Sequence, residues 1–197
     1  MKPIGRIYMI LMLFFIFLIC EMGLIEKFSI LVTSSYDNQQ YKVQEHQNSE
    51  EAANLLAKIN QNIDILIKHL KDNHPDHEGI RRLIRRLNLD NFEEGPQEND
   101  TTSYTINKGE LVSLCLRQKN KNKEVHPLNT MMFVVIHELA HIMSVTEGHN
   151  DEFMENFRFL LKEADACYVY QPRNYKNEPL YYCGMTVTHN PYYNSKY

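Results

Sequence analysis

The stretch Met131–Met143, MMFVVIHELAHIM, decides how this chain is read. It contains no Gly or Pro, and it is apolar except at His137, Glu138 and His141. A breaker-free run of this kind forms an α-helix, and apolar character on nearly every face makes it a central, buried one. Residues four apart in a helix stand one above the other on one face, so imidazoles at 137 and 141 converge on a common point. Glu138 projects beside them. Two histidines and a glutamate are costly to bury without partners, and a metal ion satisfies all three at once. Neutral imidazole pairs suit zinc, and the adjacent carboxylate is then free to act as a base.

Two histidines do not complete such a site, because a catalytic zinc takes three protein ligands and keeps one position for water. Downstream, His149 stands at the end of a short turn marked by Gly148 and placed to fold back on the helix. Asn150 to Ala166 then reads as a further helix that buries Phe153, Phe157, Leu160 and Leu161. Glu163 on that helix is the alternative third ligand, in a thermolysin-like arrangement. His46, His69, His74, His77, His126 and His189 lack comparable context and are expected on the surface or in packing.

Upstream of the central helix, Tyr104 to Ile106 is a strand, 107–109 (NKG) a turn, and Glu110 to Arg117 a second strand. The edge of that second strand is expected to receive an extended peptide as an added strand. Asn129 or Thr130 is the expected helix cap. Farther back, Asn48 with Glu51 resembles a capping box, and Ala52, Leu55, Leu56, Ile59, Ile63, Leu66, Ile67 and Leu70 follow at helical spacing. A shorter helix is expected over Asp76 to Leu89, with Arg81, Arg82, Arg85 and Arg86 on a solvated face, followed by a loop over Asp90 to Ser103. The tail from Cys167 reads as packed irregular structure with one short strand around Gly184 to Val187. The fold class is α+β: one domain over residues 48–197, mostly helical, with a small β-sheet before the central helix.

The N-terminus has a different composition. After Lys2 and Arg6 an apolar run extends from Ile7 to Cys20 and, past Glu21, to Ile25, enough for about 28 Å of helix. Residues 1–33 are therefore read as a signal anchor with its basic end cytoplasmic, or as a cleaved secretory signal. Residues 34–47 are polar and read as a linker between a membrane and the domain. The four cysteines form no CxxC pair, which excludes a thiolate zinc site; Cys167 and Cys183 are the candidate disulfide if the domain faces an oxidising compartment. With a net charge of -4 the chain lacks the basic excess that nucleic-acid binding requires.

The sequence HELAH, a turn, GHNDEF and the helix MENFRFLLKEA together resemble the WLM and SprT-like zincins. Including the strand at 104 and the segment Tyr182 to Met185, the chain is most similar to the small zincin-like proteins encoded by large DNA viruses, which implies a viral or virion membrane for the anchor. The resemblance implies a zincin fold, zinc held by His137, His141 and His149, Glu138 activating water, and a peptide or protein as substrate. Tyr175, Tyr181 and Tyr182 are candidates to donate a hydrogen bond to the oxyanion of the reaction. The chain departs from relatives that reach DNA–protein crosslinks, since it carries no basic or zinc-knuckle appendage. A non-catalytic structural or interaction protein on the same fold is the alternative, and intact Glu138 argues for the enzyme.

Overall fold

A computed structural model of the chain describes residues 29–96 and 102–193. The expected membrane segment lies almost wholly outside these residues, and no helix among those described is long and apolar enough to cross a membrane.

Strands β1 (Ser29–Thr33) and β2 (Gln40–Gln44) form an antiparallel hairpin, followed by helices α1 (Ser49–Asn73) and α2 (Glu78–Arg86). Next come β3 (Phe92–Glu94), β4 (Tyr104–Ile106) and β5 (Leu111–Leu114), which make a three-stranded sheet ordered β3-β5-β4. Helices α3 (Leu128–Met143) and α4 (Asp151–Ala166) precede a last antiparallel hairpin of β6 (Leu180–Tyr182) and β7 (Met185–Val187). The α+β reading holds, with α3 at the centre: eleven of its residues are buried, and it packs on α1, α2, α4 and β4.

The stretch read as a polar linker is folded. Tyr41 and Val43 alternate inward on β2, the Tyr41 hydroxyl bonds Asp37, and Asn38 takes the left-handed turn conformation at φ 62°. The polar residues of this segment are therefore the outer face and turn of a hairpin packed on α1, and its first strand takes the last five residues assigned to the anchor. The period-2 pattern was hidden because only two side chains carry it.

A buried ion pair joins this hairpin to the sheet. Arg117 Nε donates to Glu94 Oε1 at 2.7 Å with both side chains fully buried, and Gln44 N–H donates to Glu94 Oε2 at 2.8 Å. Arg117 also donates to the Asn48 side chain. Asn48 does sit at the N-cap of α1, but its amide is used here and for the Lys123 carbonyl instead of capping the helix. The loop expected over Asp90 to Ser103 likewise holds β3, which pairs in parallel with β5.

Two other expectations change. Strand β5 is central rather than an edge, and the edges of the sheet are β3 and β4. The disulfide joins Cys115 and Cys183, with Cα atoms 6.3 Å apart, and Cys167 is free. Cys167 follows α4 with its thiol turned to the Ala164 carbonyl, whereas Cys115, at the end of β5, lies beside the β6–β7 turn.

Candidate metal centre

Helix α3 begins after Pro127, whose fixed φ suits a helix entry, and ends at Ser144, whose hydroxyl bonds back to the Ala140 carbonyl at 2.7 Å. Its C-terminal carbonyls are capped by side chains. Arg82 donates to Met143 O at 2.6 Å, Arg86 to Ile142 O at 3.0 Å, and Lys108 to His141 O at 3.2 Å. Three cations at this end complement the helix dipole and fix the last turn, which carries His141. Arg82 is thus half-buried against α3, and Arg86, still exposed as expected, also ends on a helix carbonyl. Gly109 permits the approach, since a Cβ there would stand 2.8 Å from the Arg86 carbonyl oxygen.

The turn after α3 is held by Glu152, whose carboxylate accepts from Val145 N–H at 2.8 Å and Thr146 N–H at 2.9 Å, and also from the Thr146 hydroxyl. These bonds bring its pKa down to about 2. Gly148 turns the chain at φ 80°, and Asn150 caps α4 by accepting from Phe153 N–H at 3.1 Å. His149 is thereby returned over α3.

The Nε2 atoms of His137, His141 and His149 form a triangle with sides of 3.2, 3.1 and 3.1 Å. Phe153 is their platform: it stacks on His141 at 4.2 Å and meets His137 and His149 edge-on. Burial, with smaller contributions from the neighbouring histidines, lowers His137 to about 3; burial, then His149 and Lys108, lowers His141 to about 4. Three nitrogens aimed at one another cannot satisfy each other by hydrogen bonds alone, because each donates or accepts but not both. Tetrahedral zinc with Zn–N bonds of about 2.0–2.1 Å sets its nitrogens about 3.3 Å apart, so the triangle fits that ion closely.

Glu138 is buried beside the triangle, and burial raises its pKa to about 7 against the lowering effect of the Thr105 hydroxyl. Thr105, on the inward face of the edge strand β4, donates to Glu138 Oε2 at 2.7 Å and leaves Oε1 unengaged by that bond. Sequence reasoning missed Thr105, Glu152 and Lys108, although Thr105 stands in the one strand read cleanly from the sequence.

A cleft of about 830 Å³ opens over the triangle, between β4 on one side and β7 on the other. Of the three candidate tyrosines, Tyr175 is buried against Phe133 and Tyr181 is 76% exposed. Tyr182 lines the cleft, with its hydroxyl paired to that of Ser103. Glu163 is remote from the triangle and pairs with His69 at 2.9 Å and His74 at 3.0 Å.

The family model described as the WLM domain matches residues 86–195, a span from the end of α2 through the last hairpin. An uncharacterised protein of Acanthamoeba polyphaga mimivirus is 34% identical over 163 residues, covering 79% of this chain and 81% of that protein. Another, of Invertebrate iridescent virus 3, is 43% identical over 74 residues, 38% of this chain and 45% of its own length. Among solved structures, that of Wss1 from Saccharomyces cerevisiae superposes with a TM-score of 0.50 at 22% identity, covering 64% of this chain and 87% of that one, a likeness of fold. The cleft, the triangle and the edge strand all fall within the matched span, and this chain belongs to the WLM domain family, with relatives in large DNA viruses.

Proposed function

We propose that this chain is a zinc-dependent peptidase in which His137, His141 and His149 hold the metal and Glu138 is the catalytic base. The observation that carries the reading is the triangle of ring nitrogens with a buried carboxylate beside it. When bound, zinc supplies a Lewis acid that acidifies water and polarises a carbonyl.

The chain's own groups do the rest. Thr105 fixes one oxygen of Glu138, so the other faces the cleft, where it receives the proton of the attacking water and delivers it to the leaving amine. An extended peptide adds along β4, the edge strand that lines the cleft. Tyr182 is the tyrosine at the cleft wall and is assigned to the oxyanion. Tethering through the apolar segment Ile7 to Cys20 belongs to the same reading, and a disulfide between Cys115 and Cys183 suits a domain on the oxidising side of that membrane.

The test is Glu138→Gln. The carboxamide keeps the shape and the Thr105 contact but cannot take a proton near neutral pH. The variant should retain about one zinc per chain and lose roughly 10²-fold or more of peptide-cleaving activity. Equal cleavage by both forms would remove Glu138 from its role. A zinc-loaded wild type inert towards a broad peptide library would move the reading to the non-catalytic alternative.

A further inference from the structure

The hairpin β6–β7 forms one wall of the cleft through Tyr182, Met185 and Val187, and the chain leaving it brings His189 to the same cleft. Its own means of staying there are few. It is a sheet of two three-residue strands that pairs with no other described strand, an arrangement marginally stable at best when alone in water. Tyr181 is 76% exposed, and Gly184, Met185 and Thr186 are exposed as well. Tyr182 and Cys183 are its buried residues, with Leu180 and Val187 half-buried beside them.

The two buried anchors end at one place, the residue that follows β5. Cys183 is disulfide-bonded to Cys115. The Cys115 N–H donates to Ser103 Oγ at 2.9 Å, and Ser103 Oγ is paired with the Tyr182 hydroxyl. With one lone pair of Ser103 Oγ filled by that amide, its own hydroxyl can donate to the Tyr182 oxygen, which leaves the phenol proton for an oxyanion in the cleft. The Tyr182 ring packs on buried His126 at 4.9 Å. Tyr182, Ser103 and Cys115 thus make a ring of contacts that the disulfide closes. The metal triangle is held by other means: α3 packs on α1, α2 and α4, and Glu152 braces the turn that carries His149.

We infer that the Cys115–Cys183 disulfide is a redox switch on the cleft: oxidised, it clamps the β6–β7 hairpin and keeps Tyr182 at the cleft wall; reduced, it releases that wall and turnover falls while the metal triangle stays assembled. The inference rests on the peptidase reading and adds the regulation of that site. Reduction takes a dithiol. One thiolate attacks a sulfur of the pair, and the second thiol resolves the mixed disulfide; two electrons and two protons pass to Cys115 and Cys183, and the reductant becomes a disulfide. A low-molecular-weight disulfide reverses the exchange. Both cysteines are only 4% exposed, so the attacking thiolate reaches a sulfur when the hairpin lifts, and opening and reduction go together. Activity is thereby confined to oxidising surroundings.

The experiment uses the full-length, zinc-loaded chain carrying Cys20→Ser and Cys167→Ser, which leaves only the Cys115–Cys183 pair and should cleave a peptide library as wild type does. Reduction with a water-soluble phosphine should lower kcat by about 10-fold or more with a smaller change in KM, and oxidised glutathione should restore it. In hydrogen exchange the amides of Cys115 and of residues 180–187 should lose protection by about 10-fold or more, while those of α3 keep theirs. Tyr182→Phe kept oxidised should show a similar loss of kcat, and reducing that variant should add little, since both changes remove one group's contribution. Cys115→Ser with Cys183→Ser should behave as permanently reduced and ignore the phosphine. Equal turnover by oxidised and reduced forms, both folded and zinc-loaded, overturns the switch. So does loss of zinc with loss of protection throughout α3 on reduction, which would make the disulfide a staple of the whole fold. No cleavage in either form, with the hairpin alone deprotected on reduction, sinks the peptidase reading and leaves the switch on the cleft wall standing.

Discussion

Helix α4 meets histidines at both ends, and the two groups are built on opposite principles. At its start, His149 joins His137 and His141 in a triangle of nitrogens with no anion among them. Near its end, His69 and His74 both point at one oxygen of Glu163. The second group satisfies itself, because the carboxylate accepts from both rings and ties the C-terminal end of α1 to α4. The first has no anion to gather its three rings, and a cation at its centre satisfies all three nitrogens at once. Ten residues, about 15 Å of helix, separate Phe153 under the triangle from Glu163, so this glutamate is out of reach as a third ligand.

The largest expected effect comes from breaking the first group. His137→Ala with His141→Ala should reduce bound zinc from about one per chain to near none by elemental analysis, whereas Glu163→Ala should leave it unchanged. Retention of zinc by the double variant would dissolve the distinction between the two groups. The metal-free wild type should also be acid-sensitive. In the fold His137 stays neutral down to about pH 3 and His141 down to about pH 4, while in the unfolded chain both take protons below about 6.5. The unfolded state then binds more protons, so the metal-free protein should lose stability as pH falls from 6.5 towards 4. Thermal melts across that range check the sign.

A smaller effect is expected at Glu152, which braces the turn that carries His149. Its folded pKa of about 2 lies below its ordinary value, so its contribution is present above about pH 4.5 and fades as pH falls from there towards 2. Replacing charged bonds to two backbone amides with neutral ones should cost about 1 kcal/mol at pH 7 after discounting for solvent screening. Glu152→Gln should accordingly melt lower than wild type at pH 7, with the gap closing in acid. It should also weaken zinc by up to about 10-fold, because His149 is no longer pre-placed. An unchanged zinc affinity would show that the turn is set by Gly148 and Phe153 alone.

These two groups also mark what the sequence discloses. Helix-borne features were legible: the spacing of His137 and His141 fixes their convergence, and the apolar periodicity of α1 and α4 locates the core that carries them. His149 was legible through Gly148 and the cap Asn150, which close the turn locally. Features made by distant segments were not. Thr105 reaches Glu138 only because β4 lies against α3, Arg82 and Arg86 reach α3 only because α2 does, and Glu163 finds its histidines on a helix far back in the chain. The hairpin at the N-terminal edge was hidden for a related reason: its inward pattern rests on Tyr41 and Val43, and its pairing with the sheet runs through the side chains of Gln44 and Glu94. The conditional candidate Cys167–Cys183 is not the pair the fold joins, because connectivity among cysteines is a property of the fold and not of their spacing.

The smallest expected effect tests the second group and completes the comparison. Glu163→Gln keeps the volume and an acceptor oxygen but removes the charge at the point where His69 and His74 converge. Both histidine side chains are partly exposed, at 23% and 32%, so water compensates much of what is lost, and the expected destabilisation is at most about 1 kcal/mol. Zinc content, zinc affinity and peptide cleavage should all be unchanged, since α4 is still held by its apolar face, with Phe153, Phe157, Leu160 and Leu161 buried. A melting temperature lowered by a few degrees with intact zinc would make Glu163 a latch between α1 and α4 and nothing more. A loss of zinc in this variant would mean that the far end of α4 positions His149, and that the two histidine groups are coupled through the helix they share.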